Sequence, residues 1–106
     1  MNTLSDKKNL KKALKQQQNE INDYTIYKTL ASYQINENNR NIFEKIAKEE
    51  KYHYDFWVKI TNKQMEAQKF LVWWFIFLVK IFGTSFSFIS LEKRESGAEE
   101  FYKELF

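Results

Sequence analysis

The sequence predicts an all-α helical bundle, and three observations carry that reading. There is no Pro and there are only two Gly in 106 residues, a composition that leaves long helices uninterrupted. Between Ile42 and Ile60 the apolar residues Phe43, Ile46, Ala47, Tyr54, Trp57 and Ile60 recur at a period near 3.6, one face of a helix. The single clear break in the first 60 residues is the polar stretch NENNRN at 36–41, and so short a connection joins antiparallel neighbours. A chain of this length makes one domain, taken as 1–106.

Composition also excludes several classes. With no Cys there is no disulfide framework, no thiolate metal site and no thiol nucleophile, and a reducing cytoplasm is permitted. The net charge is +3, with 17 basic residues interleaved among 14 acidic ones. The one dense basic cluster, Lys7, Lys8, Lys11, Lys12 and Lys15, reads as a solvated helix face, so no nucleic-acid partner is expected. The first 20 residues are polar and contain no signal peptide, which sets the expected location as cytoplasmic.

The first helix is expected from about Lys7 to Ile35, capped by Ser5 or Asp6. Its apolar stripe is thin: Leu10, Ala13, Ile21, Tyr24, Leu30 and Ile35 mark it. Glu20 and Tyr27 lie on the edge of that stripe, two turns apart. The second helix, expected over 38–62, starts at Asn36 or Asn38, since Asn is a good capping residue. Its apolar face also takes in Glu50 and His53, the only His of the chain, where the pattern calls for core. A buried carboxylate costs several kcal/mol unless it is paired or metal-bound. Glu-x-x-His is also the spacing by which di-iron carboxylate bundles draw a carboxylate and an imidazole from one helix. Glu20 lies about 16 residues before the centre of the turn and Glu50 about 14 beyond it, so an antiparallel pair sets them at nearly one height.

From Phe70 to Leu91 the chain is aromatic-rich and apolar with one charge, Lys80, and a helix of that length spans about 33 Å. Lys80 offsets the apolar insertion gain, so hydropathy alone leaves spanning, interfacial and buried readings open. The expectation is that Phe70–Phe82 packs in an oligomer interface or on a lipid surface and does not cross a bilayer. A third helical region is expected from about 66 to 105, kinked or broken at Gly83. Its later part carries Phe88, Leu91, Ala98, Tyr102 and Leu105 on one face, with Glu92 and Glu95 a turn apart on it.

Taken together, E20-x6-Y27, E50-x-x-H53 and L91-E92-K93-R94-E95 with Y102 resemble the rubrerythrin-like branch of the ferritin-like superfamily. The likeness is nearest to ferritin-like domains fused to vacuolar-iron-transporter-type membrane proteins. It implies a four-helix bundle holding two iron ions, alternatively manganese. By position it implies Glu20, Glu50, His53, Glu92 and Glu95 as metal ligands and Tyr27 and Tyr102 as donors to ligating carboxylates. The chain departs from the family in lacking a fourth helix with a second Glu-x-x-His, and it lacks a Cys-x-x-Cys module. The expected function is iron binding and oxidation or iron handling near a membrane, as a ferroxidase or peroxide-reducing oxidoreductase if it turns over. Its site would be completed by a homodimer or higher homo-oligomer. Two rivals stay open: a non-catalytic metal-sensing or docking module for a membrane iron transporter, and a metal-free, membrane-associated helical protein.

Overall fold

A computed structural model describes residues 7–105, which form four helices: α1 (Lys7–Ser32), α2 (Glu37–Thr61), α3 (Lys69–Phe82) and α4 (Thr84–Leu105). The proposed caps Ser5 and Asp6 lie outside the described residues, as do the side chains of Ala98, Tyr102 and Leu105. No strand occurs among the described residues, in agreement with the all-α expectation.

The first turn follows from local chemistry. Asn36 caps α2, its side-chain oxygen accepting from the Asn39 N–H at 3.1 Å. Helix α1 stops three residues short of the expected Ile35. Tyr33 N–H closes onto the Leu30 carbonyl at 3.1 Å, and the Arg40 guanidinium donates to the Gln34 carbonyl at 3.3 Å, holding the carbonyls that the helix leaves open. The two helices then pack antiparallel, with Phe43 and Ala47 of α2 in one buried cluster with Ile26, Tyr27, Leu30 and Ala31 of α1.

The thin apolar stripe of α1 has a structural reason. Helix α2 ends at Asn62, a left-handed cap at φ 57°, and residues 62–68 cross back over the polar positions of α1. Gln17 is fully buried, donating to the Lys63 carbonyl at 2.7 Å and accepting from Thr61 Oγ1 at 2.6 Å. Asn22 accepts from the Gln68 N–H at 2.8 Å and donates to the Gln68 side chain at 2.9 Å. Tyr54 both donates to the Met65 carbonyl and accepts from the Met65 N–H. These bonds keep 62–68 out of helix, which is why α3 begins at Lys69 and not near 66.

Gly83 does more than kink the third region: it breaks it. Its φ of 91° and ψ of 174° belong to a region open essentially to glycine, and there the chain reverses. Phe75 stacks on Phe86 at 5.6 Å, and Arg94 lies 5.1 Å over the Phe75 ring, so α3 and α4 run antiparallel. Gln68 meets Asn22 at one end of α3 and Lys80 lies over Tyr33 at the other, so α3 runs parallel to α1. Phe88 stacks on Phe43 and Phe101 on Trp57, so α4 follows α2. The topology is an up-down-up-down four-helix bundle, with four helices where the sequence suggested three regions. The fourth carries no Glu-x-x-His.

Candidate metal centre

The centre is built where α1, α2 and α4 meet. Glu20 projects from the fourth turn of α1 toward α2, and Glu50 from the matching height on α2; both are buried, at 5% and 3% exposure. His53 stands one turn beyond Glu50. Its Nδ1 lies 3.4 Å from Glu20 Oε2 and 3.6 Å from Glu50 Oε1. One ligand atom from each of the three residues falls within 4.8 Å of the others. The equal height read from the turn is therefore realised. The core-facing placement expected of His53 is not: its side chain is 47% exposed, on the rim of the site. The physical reason is its place on the edge of the α2 stripe, where α4 does not close over it.

These groups line a cavity of about 540 Å³, together with Gln16, Asp23, Arg94, Glu95 and Glu99. Glu20 Oε1 accepts from Gln16 Nε2 at 2.6 Å, whereas Oε2 is buried and receives no hydrogen bond. The only partner near that buried oxygen is the His53 ring at 3.4 Å, too loosely placed for a hydrogen bond, and a metal ion shared with His53 would satisfy it more fully.

The charges are interdependent. Burial works against ionisation of Glu20, but the nearby imidazole, Glu50 and the Gln16 amide outweigh it and hold its pKa below the ordinary value. Burial raises Glu50 to about 8, helped by the negative Glu20 beside it and only partly offset by His53. The two carboxylates in turn raise His53 to about 10. At neutral pH the metal-free centre is thus an ionised Glu20 between a protonated Glu50 and an imidazolium.

The remaining predicted residues fall out unequally. Glu95 lines the cavity, and partial burial raises its pKa. Glu92, one turn earlier on α4, is exposed and does not line it. Tyr27 is fully buried, but its hydroxyl donates to the Ser87 carbonyl at 2.8 Å. A phenol has one proton to give, so Tyr27 secures α4 and does not donate to a ligating carboxylate. Tyr102 is among the residues whose side chains are not described.

Sequence reasoning missed Asp23 and Arg94. Asp23 is buried one turn beyond Glu20, and burial raises its pKa to about 6 against the pull of Arg94. Arg94 pairs with it at 3.0 Å and also donates to the Tyr27 hydroxyl at 3.5 Å, tying α4 to the floor of the cavity. The available signal was the Glu20–Asp23 spacing, which sets two acids on one face.

A helical bundle with two buried carboxylates and an imidazole converging between its helices has the donor set that the carboxylate-histidine class of metal proteins uses. Within that class the assignment is specific: the family model described as rubrerythrin matches residues 2–61, more than half of the chain, and the chain belongs to the rubrerythrin family. No curated protein and no solved structure matches it.

Proposed function

We propose that the chain is a ferritin-like iron-binding protein in which Glu20, Glu50 and His53 hold the metal and a second copy completes a dinuclear site. The observation that carries this reading is the convergence of the three donors around a buried Glu20 oxygen that receives no hydrogen bond. The donor set fits the group: hard carboxylate oxygens with one imidazole and no thiolate suit iron or manganese. Bound iron would supply one-electron chemistry with O2 or peroxide.

The residues' own parts follow from their surroundings. Glu20, already ionised, is the ready ligand; Glu50 and His53 must each give up a proton before they can ligate. Gln16 fixes one Glu20 oxygen and leaves the other for the ion. Arg94 holds the Asp23 carboxylate and keeps it out of the donor set. Three donors are few for two ions, since di-iron bundles use two Glu helices and two Glu-x-x-His helices. The α1–α2 hairpin supplies one of each, and its exposed His53 edge is where a two-fold partner would add the rest.

The test is iron stoichiometry with oligomer mass, for wild type, Glu50→Ala and Glu92→Ala. Binding and metal-dependent dimerisation should be lost in Glu50→Ala and kept in Glu92→Ala; the opposite pattern overturns the assignment. Oxygen consumption with Fe(II) then separates an oxidase from a non-catalytic iron-binding module.

A further inference from the structure

The outer surface of α3 is a second feature, separate from the metal centre. Val72, Ile76 and Val79 pack inward and are buried. The opposite side exposes Phe70, Trp73, Trp74, Phe77, Ile81 and Phe82, each at least half exposed. At about 100° per residue these positions cover roughly half the circumference of the helix with no charged side chain among them. A helix apolar on all sides needs an apolar environment on all sides, and the bundle supplies one side only. No residue of α3 lines the metal-site cavity.

We propose that this face docks α3 flat onto an anionic lipid surface. Length excludes the spanning alternative: the helix has 14 residues, about 21 Å, against a hydrocarbon core of about 30 Å, and no helix among the described residues is long and apolar enough to cross a membrane. Charge selects lipid over a second copy. Lys69 and Lys80, three turns apart, stand exposed on one edge of the apolar face. Between Ala67 and Leu91 there is no acidic residue, so the same face on another copy offers these lysines no counter-charge, whereas anionic headgroups do. The two adjacent indoles, Trp73 and Trp74, make no hydrogen bond among the described residues, and amphipathic indoles favour the headgroup boundary.

The experiment mixes the full chain with vesicles of phosphatidylcholine alone and of phosphatidylcholine with phosphatidylglycerol. Binding is read by sedimentation and by quenching of Trp emission with brominated acyl chains. Sedimentation with the anionic vesicles, accompanied by quenching, is expected. The double variant Trp74→Ser/Phe77→Ser should abolish both, and Lys69→Gln and Lys80→Gln should each weaken binding about fivefold. Helical circular dichroism and metal content, which the outward substitutions leave unchanged, report separately on the fold and the metal centre. Absence of binding to the anionic vesicles, or binding that survives the double variant, overturns the proposal. So does a doubled mass in metal-free, lipid-free solution that reverts to one chain in the double variant, because the face then belongs to a second copy.

Discussion

Glu50 is where burial and charge meet most sharply. Its folded pKa, about 8, and that of His53, about 10, both lie above the ordinary values of 4.5 and 6.5. The folded chain therefore holds more protons than the unfolded one, and metal-free stability falls as pH rises, most steeply from 6.5 to 8 where the two windows overlap. Metal stabilisation should grow over the same window, because the ligands must lose those protons. Thermal melts across that range, with and without Mn(II), are expected to slope in opposite directions; parallel slopes would rule out Glu50 and His53 as ligands. Glu50→Gln imitates the protonated form and should change metal-free stability by less than about 1 kcal/mol while removing the metal-dependent gain. Arg94 acts on the other side of the cavity. Arg94→Leu leaves Asp23 buried without its cation, at a cost of about 2–3 kcal/mol, somewhat below that of a fully buried pair because Arg94 is partly exposed. Asp23, already raised to about 6, escapes by protonation, so denaturant melts should show a larger loss at pH 8 than at pH 5.

At the scale of elements, the glycines give the sharpest contrast. A Cβ at either Gly83 or Gly97 would meet nothing within 4 Å, so only the backbone distinguishes the two positions. Gly83→Ala forces a φ of +91° on a residue with a side chain and should cost about 1–3 kcal/mol. Gly97→Ala, within α4 and exposed, should stabilise by up to about 1 kcal/mol. Urea denaturation of both variants checks the pair, and equal effects would argue against the reversal at Gly83. The same elements show how far the sequence could be read. The Asn36 cap, the hairpin and the break at Gly83 were legible because each rests on local chemistry: a capping side chain, a polar break, a residue without Cβ. The direction of the chain after Gly83 was not legible, since it depends on Phe75 meeting Phe86 and Phe43 meeting Phe88. In the same way Glu20, Glu50 and His53 were found by period and spacing within and across one hairpin. The Asp23–Arg94 pair joins residues 71 apart in sequence, and no periodicity reports such a contact.

For the whole molecule, the bundle presents two surfaces with different chemistries. One is the cavity between α1, α2 and α4, where two buried carboxylates and an imidazole converge; the other is the outer face of α3, apolar and bordered by lysines. Metal bound to the folded chain alone raises stability by mass action, about 2.7 kcal/mol when free metal is a hundredfold above its dissociation constant. The central claim is that Glu20, Glu50 and His53 share an ion, and anomalous diffraction at the iron edge from crystals grown with Fe(II) under anaerobic conditions tests it most directly. An anomalous peak bounded by Glu20, Glu50 and His53, and absent from Glu50→Gln crystals, is the expected result. A peak on Glu92 of α4, or no peak at the three residues in fully loaded protein, would contradict it.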